Sequence, residues 1–349
     1  MANPFLVELT RGERVESWHR GAVAIADASG RLVWSAGDVE RPVFARSALK
    51  MLQAVPLVET GAADAFGVSD PELALACASH TGEAFHIDTV AGWQTRIDCE
   101  ETCLACGAHM PGNEAASHAL IREGRAPGRL HNNCSGKHTG FLTVARHLGV
   151  DIAGYERPDH PVQQLALSAI AEMCGLDAAA MPIGIDGCAA PAAATPLQAL
   201  ATAMARIADP SGLAPTRAEA ARRLYAAVKA NSLYVAGTGR VCTTLIEAAG
   251  GAATVKTGAE GAFVAVLGEL GLGIALKIDD GAGRGAETTI AAVLAALGVV
   301  DRDNPAIAAL TDVKVLDTTG HTAGVRRASP WLTAELNGAV AAIANKIAR

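Results

Sequence analysis

Strand-forming runs stand near the two ends of this chain and Ala-rich helical segments fill the stretch between them, a distribution that limits the folds open to it. The segment Gly21-Ala-Val-Ala-Ile-Ala-Asp-Ala-Ser-Gly-Arg-Leu-Val-Trp-Ser-Ala-Gly37 reads as a hairpin, because Asp, Ser and Gly at 27–30 interrupt two apolar runs. Further strands are predicted at 261–267, 271–278, 313–316 and 322–326. Leu49, Leu52 and Val55, with Met51 beside them, predict a helix over 47–58 that Pro56 kinks or shortens and that stops at Thr60-Gly61. Helices are also predicted at 114–123, 140–148, 161–174, 196–208, 217–230 and 287–297, mostly Ala-rich and so formed at little side-chain entropy cost. Strict strand–helix alternation is missing, which excludes a doubly wound sheet and predicts an α+β fold.

At 349 residues, half of them hydrophobic, the chain can bury a large core. No internal repeat or low-complexity linker divides it, and the expectation is a single catalytic unit, 1–349, of two lobes without a clean boundary; 209–215 reads as a surface connection. A net charge of −7, with no Lys/Arg cluster longer than a pair, argues against nucleic acid or an anionic membrane as partner and for a small molecule. The apolar run 290–300 is too short to span a bilayer. Residues 1–15 carry Glu8, Arg11, Glu13 and Arg14 where an export signal needs an apolar stretch, so a cytoplasmic location is expected, with the eight cysteines as thiols or metal ligands.

Arg46-Ser47-Ala48-Leu49-Lys50 places a serine at a helix start and a lysine three positions on, on one helix face, where an amine can take the hydroxyl proton. The alternative is an N-cap serine followed by a surface lysine. Downstream, Lys256-Thr257-Gly258 lies next to a predicted strand, and Lys-Thr-Gly with Ser-x-x-Lys is the pairing of serine acyl-transfer enzymes of the β-lactamase and penicillin-binding type. Cys77-Ala-Ser79-His80-Thr81-Gly-Glu83 is a third polar block, which can equally be a capped element end. Spacing alone favours Cys99, Cys103, Cys106 and His109 as a zinc group, against buried thiols in a loop. Cys134, Lys137, His138 and the distant Cys188 form a weaker set by spacing. A Walker loop, a His-Glu-x-x-His site, a Gly-x-Ser-x-Gly elbow and a dinucleotide fingerprint are all absent.

Taken in order, Arg46 to Lys50, Ala78-Ser-His-Thr-Gly-Glu83, His131-Asn-Asn-Cys-Ser-Gly-Lys-His-Thr-Gly140, Gly184-Ile-Asp-Gly-Cys188, Lys256 to Gly261 and Lys277-Ile-Asp-Asp-Gly281 resemble the class 3, or asparaginase II-type, L-asparaginases across nearly the whole chain. The resemblance implies a serine β-lactamase-like, penicillin-binding-protein-like fold, an antiparallel sheet with a helical lobe. It also implies a homodimer that hydrolyses L-asparagine to L-aspartate and ammonia. Two Ser-Lys pairs are implied, Ser47 with Lys50 and Ser79 with Lys256, beside a zinc site of Cys134, Lys137 and Cys188. On this ground the second cysteine set is preferred over the first, whose residues the family pattern leaves unexplained.

As chemistry placed on these blocks, Lys50 takes the Ser47 proton, Ser47 attacks the amide carbon, and Lys256 and Ser79 relay a proton to the leaving amine. Arg46 is assigned to the substrate carboxylate and Asp186 to its ammonium, with His80 in the same binding set; Asp186 can instead orient the zinc ligands. Competing readings are a glutaminase or β-lactam/peptide amidase, and a zinc-binding protein without turnover.

Overall fold

The structure, a computed structural model, describes residues 2–347. Two compact units divide it: a first made of the described residues up to Ala48, Thr195–Asp209 and those from Thr244 onward, and a second made of Leu49–Ala194 and Pro210–Thr243. In chain order the strands are β1 (Phe5–Arg11), β2 (Arg14–Asp27), β3 (Leu32–Ala36), β4 (Pro42–Phe44), β5 (Ile183–Ile185), β6 (Pro191–Pro196), β7 (Ala253–Thr257), β8 (Ala262–Leu267), β9 (Leu272–Ile278), β10 (Asp312–Leu316) and β11 (Thr322–Ala328).

The first unit is built on an antiparallel sheet in the order β10-β11-β1-β2-β9-β8-β7, with β3 also paired to β2. β2 has two halves. Residues 14–20 pair with β1 and are largely open to solvent, whereas 21–27 pair with β9 in the register Gly21↔Ile278 to Asp27↔Leu272. Ala22-Val-Ala-Ile-Ala26 lacks a polar face because all five side chains are buried. The helix Leu197–Ala208 supplies part of that cover, with Leu197, Leu200, Met204 and Ile207 along one stripe. It comes so close to β9 that a Cβ on Gly273 would lie 2.1 Å from the Ala201 carbonyl oxygen. Gly283–Ala296 and Pro330–Ile347 also pack on this sheet.

The predicted 21–37 hairpin is β2–β3, closed by Gly30 N donating to Asp27 O at 3.0 Å and by Ser29 and Arg31 on the Asp27 carboxylate. Of the strands in this large sheet β1 and β7 escaped prediction, as did the short β4, β5 and β6 outside it, and β1 and β7 each carry a buried charged residue. β1 holds Glu8, 6% exposed and bonded at 2.9 Å to Arg327; β7 holds Lys256, 3% exposed. The predicted 47–58 helix is corrected to three pieces, a 3-10 turn Arg46–Leu49 and short α-helices Lys50–Gln53 and Val55–Glu59, because Pro56 lies in the first turn of the last piece.

The second unit is helical, with a small hairpin of β5 and β6. At its centre Ser135–Leu148 is buried from Ser135 to Ala145. Glycines four apart, Gly136 and Gly140, give this helix a smooth face: a Cβ at Gly136 would stand 2.5 Å from the Leu75 carbonyl oxygen, and one at Gly140 would touch Ala76. The helix Asp70–Ala76 therefore lies directly against it, fixed at its start by a Ser69–Glu72 capping box. The α+β architecture, an antiparallel sheet with a helical region, agrees with the distribution of signals in the sequence. Among the described residues no helix is long and apolar enough to cross a membrane.

Candidate active site

The close approach of those two helices decides where the chain goes next. After the Cys77 cap, Ser79 and His80 run out as a short extended segment held on both sides: Ser79 N donates to Val235 O at 3.0 Å and His80 N to Asn133 O at 3.2 Å. Lys50, the first residue of its helix and 1% exposed, reaches this segment. Its Nζ donates to the Ala78 carbonyl and lies 3.0 Å from Ser79 Oγ. A buried amine and a serine hydroxyl thus share a hydrogen bond within the second unit, the contact a lysine-activated nucleophile requires.

His80 is locked. Its Nδ1 accepts from Gly82 N at 3.2 Å, so the proton sits on Nε2 and is given to Ser135 Oγ at 2.9 Å. Burial, the stacked His86 ring and Lys50 hold it well below the ordinary histidine pKa, so it is neutral. His86 repeats the pattern, with Nδ1 accepting from Glu83 N and Nε2 on the Leu233 carbonyl. Beside them Glu83 accepts from Thr81 Oγ1 at 2.7 Å and from Thr238 N at 2.9 Å. Gly237, with φ +114°, is where that loop meets Thr81; a Cβ there would fall 2.0 Å from Thr81 Oγ1.

Cys134 caps the Ser135–Leu148 helix and Lys137 follows on its first turn, while Cys188 arrives from the β5–β6 turn. That turn is closed by Ala189 N on Asp186 O and Asp186 N on Ala190 O, with Ala189 at φ 73°, a left-handed position that usually holds glycine. The three side chains meet in a buried place: Lys137 Nζ donates to Cys188 Sγ at 3.0 Å, and Cys134 and Cys188 share a hydrogen bond. That shared bond, helped by Lys50 and Lys137 and opposed by burial, drops the Cys134 thiol well below its ordinary pKa; the same bond, with burial and against Lys137, raises Cys188. Burial works against the Lys137 charge, but the two sulfurs outweigh it and raise its pKa; Asp186 adds to this.

Two sulfurs and an amine are a soft donor set of the kind Zn2+ accepts, so the residues fit the ion that the sequence resemblance implies. Among the described residues no three His, Cys, Asp or Glu side chains converge on a metal position, so an ion here would need the amine as a third protein donor, and the amine would have to shed its proton to bind.

The spacing group Cys99, Cys103, Cys106 and His109 is corrected by the same finding, because it does not assemble. Cys99 and Cys103 lie against each other; Cys106 is fully buried near Cys134, its thiol pushed up to about 12 chiefly by burial. His109 instead accepts from Asn133 N at 2.9 Å.

In the first unit Arg46 adopts φ 53° just before Ser47, strain of the sort that collects at functional sites. Lys256 lies in β7, paired with Val264 of the adjacent predicted strand β8, and donates to Thr257 O at 2.7 Å. The strand end is pressed on the Ser47 turn: a Cβ on Gly258 would be 2.2 Å from Ala45 O and 3.3 Å from Ala48 Cβ. Gly258 is the reason Lys-Thr-Gly can lie there. Asp279 of the Lys277-Ile-Asp-Asp block is bonded to Asn3 at 2.8 Å, and Asp280 to His19 at 2.7 Å.

Sequence reasoning missed Asn132, which accepts from Cys134 N and donates to Gly107 O at 2.5 Å, although an asparagine just before a helix is a capping signal. It also missed the buried Tyr155 hydroxyl, which lies 2.6 Å from His138 Nδ1; no pattern at that separation announces such a pair.

A family model described as L-asparaginase II matches residues 7–328. Among solved structures the chain is similar to a β-lactamase from Mycobacterium bovis, at 14% identity and a TM-score of 0.40 over 79% of this chain and 94% of that one. It is also similar to a β-lactamase candidate from Bacteroides dorei, at 13% identity and a TM-score of 0.40 over 77% of this chain and 92% of that one. No match was found among curated proteins.

Proposed function

Because the chain belongs to the L-asparaginase II family, we propose that it is an amidohydrolase that converts L-asparagine to L-aspartate and ammonia through a lysine-activated serine. The observation that carries this reading is the 3.0 Å hydrogen bond between Lys50 Nζ and Ser79 Oγ, made by a lysine 1% exposed.

In this reading a serine hydroxyl gives its proton to a lysine amine and its oxygen adds to the side-chain amide carbon. The tetrahedral intermediate collapses as a proton passes to the departing nitrogen, ammonia leaves, and water then cleaves the acyl ester. Ser47 and Ser79 are the two candidates for acylation, Lys50 the base, and Lys256 the second amine in the proton path. Arg46 is assigned to the substrate α-carboxylate and Asp186 to its α-ammonium, by charge-assisted hydrogen bonds. His80, neutral and engaged at both nitrogens, positions the Ser79 segment.

Cys134, Lys137 and Cys188 would hold a zinc ion, which when bound supplies fixed positive charge and ties the β5–β6 turn to the helix start. A homodimer belongs to the same proposal and is checked by light scattering.

The test is ammonia release from L-asparagine and L-glutamine, run beside opening of a β-lactam, for the unmodified protein and for Ser47→Ala and Ser79→Ala. Asparagine turnover that both substitutions abolish in folded protein supports the reading. Faster turnover of glutamine or the β-lactam moves the substrate, and turnover that survives both substitutions removes serine from the chemistry.

A further inference from the structure

The proposed amidase chemistry leaves Cys99 and Cys103 unused. After the helix Ala84–Arg96 the chain passes through Asp98 at φ 52°, and Cys99 N returns to Gln94 O at 3.0 Å. A 3-10 turn over Glu101–Cys103 then curls it back, with Cys103 N on Glu100 O at 2.9 Å. Cysteines four positions apart can be bridged only when the chain between them doubles back in this way. The Cys103 thiol lies against Cys99, and the Arg146 guanidinium stands at the same sulfur while donating to Asp98 O at 2.7 Å. Cys99 is 8% exposed, whereas Cys103 is partly open to solvent.

We propose that Cys99 and Cys103 are a reversible dithiol–disulfide site that reacts with low-molecular-weight disulfides. The Cys103 thiolate attacks one sulfur of the small disulfide and expels one thiol. Cys99 then attacks the mixed disulfide, forms the Cys99–Cys103 bond and expels the second. The protein loses two protons and two electrons, and the small disulfide takes them up as two thiols. Burial, with Cys103, holds the Cys99 thiol above its ordinary pKa against the Arg146 cation, so Cys99 is the second thiol to attack, after Cys103 has taken up the small disulfide.

The pair stands at the root of a strap. Glu101 accepts from Leu130 N at 3.1 Å, Arg129 donates to Thr102 O and Leu104 O at 3.0 and 2.5 Å, and Asn132 and Asn133 bond to Gly107 and His109. Closing the disulfide fixes the root of the segment that holds the turn leading into Cys134.

The experiment exposes the full chain to oxidised glutathione, blocks remaining thiols by alkylation and maps the cross-linked peptides by mass spectrometry. A Cys99–Cys103 bond that forms in most chains and disappears with dithiothreitol is the expected result. Cys99→Ser should instead stop at glutathione held on Cys103. The proposal is overturned if the unmodified chain stops at that mixed disulfide, if no reaction occurs, or if the bond joins only other cysteines. None of these readouts depends on asparagine turnover, so the two proposals fail separately.

Discussion

Cys134 and Cys188 stand far apart in the sequence and share a hydrogen bond, whereas Cys106, close to Cys99 and Cys103 in sequence, leaves that pair in the fold and lies near Cys134. The first pair is brought together by a helix start and a hairpin turn that each aim one sulfur inward. The second group sits on a single irregular segment whose backbone is spent on holding the 128–134 turn, so its side chains point to different neighbours. Ligand spacing predicts a cluster only when the segment between the ligands is free to wrap around an ion. Here it is already committed to a neighbouring loop.

The largest effect that tests this contrast is on turnover. Lys50→Ala, at the edge of the buried centre, should lower ammonia release about 10²–10⁴-fold, while Cys103→Ser on the strap should leave it near that of the unmodified protein. An equal fall in both would merge the two regions into one functional unit. Next comes stability. Lys137→Met leaves the Cys134 sulfur without its buried cation, and urea unfolding of metal-free protein should show a loss of about 3–5 kcal/mol. His109→Ala on the strap removes the hydrogen bond from Asn133 N and an exposed one to Met110 O, and should cost only about 1 kcal/mol. The opposite order would make the strap the stiffer region.

A third contact on the Ser79 segment comes from Glu83. Burial pushes its pKa up, but the hydrogen bonds from Thr238 and Thr81 outweigh this and hold it below the ordinary carboxylate value. The stability it adds is therefore complete above the unfolded value and is lost as pH falls through the depressed one. Glu83→Gln should flatten that acid limb and cost about 1 kcal/mol at neutral pH, measured by thermal unfolding across the acid range. The smallest effect is a gain: Ala189→Gly relieves a left-handed alanine, and after the added freedom of the unfolded chain is subtracted a few tenths to about 1 kcal/mol remains.

Much of the fold could be read from hydrophobic pattern, because the strands β8 and β9 and the Ala-rich helices bury what their periodicity says they bury. β1 and β7 were hidden because Glu8 and Lys256 interrupt the apolar pattern; in the fold Glu8 is met by the distant Arg327, and Lys256 donates to the carbonyl of its neighbour Thr257. The residues of the site were visible as short blocks, but their grouping was not. Ser-x-x-Lys spacing pairs Lys50 with Ser47, whereas in the fold its amine reaches Ser79, a partner no local rule supplies. Gly136 and Gly140 were visible only as members of the 131–140 block, yet they set how closely two helices meet and hence where Ser79 emerges.

The order of the sheet carries a consequence for synthesis. β1 is an interior strand whose two neighbours are β2 and β11, and Val7 pairs with Ala328. The edge of β1 that faces β11 stays an unpaired row of backbone donors and acceptors until Thr322–Ala328 have been made. The second unit, complete by Thr243, can gain its helices before then. A nascent chain therefore carries a finished helical body and, in its other unit, an open β-edge that a stray strand can capture.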